Sequence, residues 1–212
     1  MNKASKVNLE LLKWFQKNGR KFPWRRKNIS FYKLLACEIF LWKTQASMVS
    51  AFIDYFFKKY PTPNTIDRTP MRKISKEIKT LGLSNRRARL LKKTFLGYSD
   101  KNIPRTEKEF RKRFKIGQYI ARSVLSIYYN QKLFPIDQNI YRFFKRVFDY
   151  KIKNLRKIPP GDELFLKNFY SENSKKLIWA IIDFASLICK SRNPACYTCL
   201  LNRYCVYYHK IQ

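Results

Sequence analysis

An all-α fold is what this 212-residue sequence predicts, and three observations predict it. Apolar positions recur at three- and four-residue spacing along most of the chain, the period of an amphipathic helix rather than of a strand. Glycine is scarce, with five in all. The prolines fall between the periodic segments, at Pro23, at Pro61 with Pro63, at Pro104, at Pro135 and in the Pro159-Pro160-Gly161 triplet, where a missing N–H and a fixed φ interrupt helices. With 45% hydrophobic and 17% aromatic residues the chain has ample material for a core, so disorder is not expected.

The periodicity predicts a first helix over 7–18, before Pro23. Two more follow over 30–44 and 45–59, before Pro61 and Pro63, and then 70–79 and 84–97. After Pro104 come 106–114 and 118–129, and after Pro135 comes 138–149. Helices over 162–171 and 173–189 follow the Pro159-Pro160-Gly161 triplet. Neither an internal repeat nor a linker long and polar enough to separate independent domains is visible.

Forty-six Lys and Arg against fourteen Asp and Glu leave a net charge of +32, far more than an enzyme of neutral small molecules needs, and point to a polyanion, nucleic acid above all. A general lysine enrichment of the surface would raise the charge without a partner. The basic residues bunch, however, at Arg20–Lys27, Arg86–Lys93, Arg111–Lys115 and Arg142–Arg156, so several segments could each supply phosphate contacts. The N-terminus lacks a long apolar stretch with a small-residue cleavage site, and no run approaches the roughly eighteen apolar residues of a membrane span, so a soluble, cytoplasmic protein is expected, nucleoid-associated in a prokaryote.

Four of the five cysteines lie in the last twenty-four residues, as Cys189-x6-Cys196-x2-Cys199-x5-Cys205. This crowding suits a metal site in a reducing compartment better than a disulfide framework, while Cys37 stands apart as a core residue. Four thiolates on one loop serve a tetrahedral zinc or a larger iron–sulfur group. Two carboxylates also stand out. Asp137 precedes an amphipathic helix, where an N-cap role would suffice to explain it. Glu38 falls on the apolar stripe of 31, 34, 35, 41 and 42, where a carboxylate is costly unless paired or functional.

The 6–2–5 cysteine spacing resembles the cluster loop of the endonuclease III and MutY-type branch of the helix-hairpin-helix DNA glycosylases, as does the helix leading into it, with Asp183 six residues before the first cysteine. The resemblance runs from about Leu11 to Cys205. It implies a two-lobed, all-α glycosylase fold: one lobe at 28–132 bearing the hairpin, a second combining 1–27 with 133–212, and the base pocket in the cleft between them. It also implies a [4Fe–4S] cluster on Cys189, Cys196, Cys199 and Cys205, serving as a brace for a DNA-contacting loop in which Lys190, Arg192 and Arg203 meet phosphates.

The segment from Phe110 to Val124 resembles the hairpin itself, whose usual core is Leu-Pro-Gly-Val-Gly. Ile116 and Gly117 match, whereas Phe114 replaces the proline and Lys115 the first glycine, which predicts a lysine in a backbone conformation that glycine adopts at less cost. In the family, backbone N–H groups of Lys115, Ile116 and Gly117 would hold a phosphate. Asp137, twenty residues after Gly117, matches the essential aspartate, whose carboxylate stabilises positive charge developing on the sugar. Glu38, in a stretch similar to the MutY-type Ser-Glu-Val-Met-Leu-x-x-Thr-Gln pattern, marks the base pocket.

Bifunctional members carry a nucleophilic lysine where this chain has Tyr119, so the resemblance implies a monofunctional enzyme that leaves an intact abasic site. Phe22-Pro-Trp-Arg, the stretch after Glu38, and Gly82-Leu-Ser-Asn lean toward the thymine-removing T·G mismatch branch. Trp42, Lys43, Leu83 and Ser84 are the candidates to fill the gap left by a flipped base. Adenine glycosylases recognise 8-oxoguanine with a domain beyond the cluster, and only seven residues follow Cys205 here. The expected partner is mismatched double-stranded DNA, met by a monomer. An adenine glycosylase on A·G or A·8-oxoguanine and a non-catalytic, damage-sensing DNA-binding protein remain the alternatives; the two retained carboxylates argue against the second.

Overall fold

The computed structural model describes residues 2–99, 101, 103–155, 157–170 and 174–212. Arg156, Ser171 and Asn173, which belong to the fourth basic bunch and to predicted helix ends, lie outside the described residues. Every regular element among the described residues is helical. Two compact units divide the chain: Met1–Arg20 with Tyr129–Gln212, and Lys21–Tyr128.

The discontinuous unit begins with α1 (Lys3–Asn18), capped by Asn2, whose side chain accepts from the Ser5 N–H at 2.9 Å. Val7 and Leu11 bury one face of α1 completely, and Trp14 meets Phe184 edge-on with centroids 5.3 Å apart. The unit continues in α9 (Gln138–Phe148), α10 (Pro160–Phe169), α11 (Ser174–Leu187) and the short α12 (Val206–Lys210). Ile140, Phe143, Phe144 and Val147 repeat at three- and four-residue spacing on α9 and pack with Phe134, Phe169, Ile181 and Phe184 into one core. Buried Asp183 on α11 accepts from the Arg20 backbone N–H and from its Nε, each at 2.8 Å, which ties the end of the N-terminal segment to the helix that leads into the cysteines.

The continuous unit holds α2 (Phe31–Leu41), α3 (Ala46–Lys59), α4 (Pro63–Arg68), α5 (Met71–Glu77), α6 (Ser84–Phe95), α7 (Glu107–Phe114) and α8 (Gln118–Tyr129), the last ending one residue past the unit boundary. Phe31 anchors its core, touching Phe110, Phe114 and Tyr128 at centroid distances of 5.9, 5.5 and 5.4 Å.

Several predicted boundaries need correction. Pro63 does not separate helices but opens α4 at its first position, where its missing N–H is no loss, with Thr62 as cap. Pro160 and Gly161 likewise form the first turn of α10, which starts two residues before the predicted 162. The helix predicted over 30–44 stops at Leu41, because Lys43 turns left-handed (φ 59) and the carbonyls of Phe40 and Trp42 accept from the Arg87 guanidinium. α5 ends at Glu77, after which residues Lys79–Leu81 tighten into a 3-10 turn. Among the described residues, no helix is long and apolar enough to cross a membrane.

Candidate active site and nucleic-acid interface

The hairpin of the continuous unit is built by α7, a three-residue turn and α8. Thr106 caps α7: its hydroxyl accepts from the Glu109 N–H at 3.3 Å and donates to the Glu109 carboxylate at 2.7 Å. Glu107 then pins the two helices together, taking the Gln118 amide at 2.9 Å and Arg122 Nε at 2.7 Å. Lys115 ends α7 in the left-handed region (φ 54, ψ 36), as expected of a residue standing where glycine is usual. Gly117 is exposed, but Ile116 turns its side chain into the core at 6% exposure, so only its backbone can belong to a binding surface.

A groove of about 450 Å³ runs along this hairpin. Trp42, Lys115, Gly117 and Tyr119 line it together with Arg86, Arg89 and Lys93 of α6. The Arg86 guanidinium lies 4.4 Å from the centroid of the Trp42 ring. Four cations and two aromatic rings on one concave wall can hold phosphates while offering a flat face to a base. Lys43 and Leu83 are exposed on the segments flanking this wall, and Ser84 is half-buried as the first residue of α6. Glu38 lies one turn before Trp42 on α2 but is only 3% exposed and is not one of the groove's lining side chains, because it belongs to the buried face of that helix.

In the discontinuous unit Asp137 caps α9. One carboxylate oxygen accepts from the Ile140 N–H at 2.7 Å, the other from the Asn139 side-chain amide at 3.1 Å. Desolvation raises its pKa above the ordinary carboxylate value, against the lowering effects of those hydrogen bonds and of the Arg142 charge. Asn139 is itself held by Arg142, whose Nη2 donates to its amide oxygen at 2.9 Å. The same guanidinium donates to the carbonyls of Ala185 at 2.7 Å and Cys189 at 2.8 Å. One turn later Arg146 donates to the carbonyls of Lys190 at 2.6 Å and Ser191 at 3.2 Å. A single helix thus places Asp137 at its start and clamps the loop of the first cysteine along its side.

Cys189, Cys196, Cys199 and Cys205 line one small pocket, of about 20 Å³, whose exposed wall is apolar. Arg146 Nη1 stands 3.5 Å from Cys189 Sγ. Among the described residues, no three Cys, His, Asp or Glu side chains converge tightly enough for a single ion. Four thiols around a shared apolar pocket are an all-sulfur donor set, which suits a tetrahedral zinc or a larger thiolate-bound group. Burial raises the pKa of Cys196 and Cys205 and that of Cys199 to about 11, so the thiolate forms need positive charge beside them. Around this pocket Lys190 and Arg192 are exposed, whereas Arg203 pairs with Glu10 at 3.5 Å and lies over the Tyr204 ring.

The sequence shows the basic run of Arg86–Lys93 without placing it beside Trp42, shows Arg142 and Arg146 only as members of the Arg142–Arg156 run and not as a clamp on the cysteine loop, and does not single out Asn139. The i, i+4 spacing of the two arginines on the face of α9 beside the cysteine loop was the available signal.

A family model described as "HhH-GPD superfamily base excision DNA repair protein" matches residues 36–158. A thymine/uracil-DNA glycosylase of Methanothermobacter thermautotrophicus is 31% identical over 214 residues, spanning 99% of this chain and 96% of that protein. An adenine DNA glycosylase of Buchnera aphidicola is 30% identical over 207 residues, which are 93% of this chain and 57% of that protein. The solved structure of a thermostable thymine-DNA glycosylase superposes with a TM-score of 0.87 at 29% identity, covering 98% of this chain and 97% of its own. By the family match over more than half its length and by a near-full-length relative, the chain belongs to the HhH-GPD superfamily of base excision DNA repair proteins.

Proposed function

We propose that this chain is a monofunctional DNA glycosylase that binds double-stranded DNA as a monomer and hydrolyses the N-glycosidic bond of thymine, and of uracil, mispaired with guanine. Its likeness to a thymine/uracil-DNA glycosylase over 99% of the chain carries the choice of base. In this reading the Asp137 carboxylate stabilises the cationic sugar as the bond from C1′ to the base breaks, and orients the water whose oxygen joins C1′. Glu38 returns a proton to the departing base. Tyr119 supports the monofunctional assignment: a phenol has no amine with which to form an imine at C1′, so the strand stays intact. The cations of the hairpin groove, with Lys190 and Arg192, hold phosphates on either side of the lesion.

Cys189, Cys196, Cys199 and Cys205 would hold a [4Fe–4S] cluster, the reading favoured by an all-thiol donor set around an apolar pocket. Its contribution is structural: it supplies no step of the hydrolysis and braces the loop that carries Lys190 and Arg192. Labelled T·G, U·G, A·G and A·8-oxoguanine duplexes, incubated with the protein and then treated or not with alkali, test the proposal. Cleavage of T·G and U·G only after alkali is expected. Cleavage of A·G instead would move the enzyme to the adenine branch, scission without alkali would overturn the role of Tyr119, and no cleavage of any duplex would leave a binding protein.

A further inference from the structure

Among the described residues, Arg87 is the largest side chain buried completely. A guanidinium out of contact with water needs partners for its five donors, and an acidic residue is the usual one. Here the two terminal nitrogens find only uncharged acceptors, and the buried Nε finds none. Nη1 donates to the carbonyls of Leu81 and Gly82, each at 2.5 Å, and Nη2 donates to those of Phe40 at 3.1 Å and Trp42 at 2.5 Å and to the Thr44 hydroxyl. Thr44 completes the link by donating its hydroxyl proton to the Leu81 carbonyl at 3.1 Å. One planar fork therefore holds two loops that lie some forty residues apart in sequence.

These loops carry the candidates to fill the gap left by a flipped base. Trp42 and Lys43 lie on the first, Leu83 and Ser84 on the second, and Leu83 presents a large apolar side chain at 46% exposure. Each loop also contains a non-glycine residue in the left-handed region, Lys43 at φ 59 and Leu83 at φ 50. Such conformations persist only where the surroundings over-determine them. Two of the four carbonyls that Arg87 holds, those of Trp42 and Gly82, belong to the residues just before these two.

We propose that Arg87 and Thr44 form a clasp that holds the 42–44 and 81–84 loops as one rigid wedge, making Arg87 a positioning residue for opening the duplex at the lesion. The inference rests on the glycosylase reading above. Arg87 itself touches no DNA: its contribution is to present Trp42 and Leu83 together, so that the cost of unstacking is met by both loops at once. Lysine cannot replace it, because one ammonium cannot span the two carbonyl sets that the fork reaches.

The test uses Thr44→Val, which keeps the shape and removes the bridging hydroxyl, its rescue by Thr44→Ser, and Arg87→Lys. Each is assayed on a T·G duplex carrying 2-aminopurine beside the thymine. Thr44→Val and Arg87→Lys should slow single-turnover base release about ten-fold or more and reduce the fluorescence rise on unstacking. Duplex affinity and its salt slope should stay unchanged, and Thr44→Ser should recover the rate. Amide exchange at 42–44 and at 82–84 should quicken together in Thr44→Val. If Arg87→Lys fails to fold, the threonine pair still decides the matter.

Wild-type rates in a folded Thr44→Val protein, or faster exchange confined to one loop, would overturn the clasp. A wild-type protein that releases no base from any duplex refutes the glycosylase reading, and with it the clasp's role in opening DNA, whatever the exchange data show about the loops.

Discussion

Asp137 meets two demands that pull against each other. As an N-cap it satisfies the Ile140 N–H, yet desolvation raises its pKa, so its charged form is the costly one. A carboxyl whose folded pKa lies above the unfolded value of about 3.9 contributes stability below that value and loses it as pH rises through the folded pKa. At neutral pH the ionised group therefore weakens the fold, at the position where the proposed chemistry needs a negative charge. Asp137→Asn retains an oxygen that can cap α9 and removes the charge. We expect it to melt no lower than wild type at pH 7, with the difference shrinking as pH falls through the acid range, while base release drops below a tenth of wild type and duplex binding persists. Calorimetry across pH and a single-turnover assay check the two halves; a variant that is less stable at pH 7 than at pH 4, relative to wild type, contradicts the first. The same raised pKa predicts that wild-type base release falls on acidification with a midpoint above the ordinary aspartate value, read from a pH–rate profile.

At the scale of elements, the hairpin and α9 carry the testable content. Lys115 in the left-handed region costs roughly 1–2 kcal/mol, of which a glycine would return about 0.5–1 kcal/mol after its larger unfolded-state entropy is counted. Lys115→Gly should thus raise the urea midpoint, and yet bind duplex with a log–log salt slope shallower by about 0.9, because one phosphate contact has gone. A variant with both properties unchanged removes Lys115 from the interface. On α9, Arg142→Ala strips donors from the Ala185 and Cys189 carbonyls and from Asn139, a loss of about 2–4 kcal/mol that equilibrium denaturation would show. These elements also show what could be read in advance. The amphipathic period of α9 and the cap at Asp137 are local, so both were legible, and the backbone of Lys115 followed from a motif that normally places glycine there. The six-residue α4 is too short to display a period. The stop of α2 at Leu41 is imposed by a guanidinium forty-seven residues away, and Arg142 acquires its meaning only when the end of α11 is laid against α9. Glu38 had the right period for a buried position, but period alone could not tell a core face from a pocket wall.

For the whole molecule the dominant quantity is a net charge of +32, which makes any polyanion a partner at low salt and masks discrimination between damaged and intact duplex. Specificity must then come from the uncharged work of opening the pair, which is why the mismatch preference should sharpen as salt is raised and non-specific binding falls away. In the proposed function the cysteine pocket enters this balance through Lys190 and Arg192, exposed on the loop whose carbonyls Arg142 and Arg146 hold. Three of its four thiols have pKa values raised by burial, so without a bound metal group they would be neutral at pH 7 and would hold the loop by packing alone. The protein should accordingly purify brown, with broad visible absorption and iron matched by acid-labile sulfide. Removing the iron should lower its melting temperature and flatten the salt slope of duplex binding by roughly two, the share of two phosphate contacts, while leaving the contribution of the hairpin groove intact. A colourless protein containing zinc would replace the cluster by a simpler site with the same bracing role. An iron-free protein with unchanged slope would show that the loop keeps its shape without metal, and that Arg142 and Arg146 are sufficient to hold it.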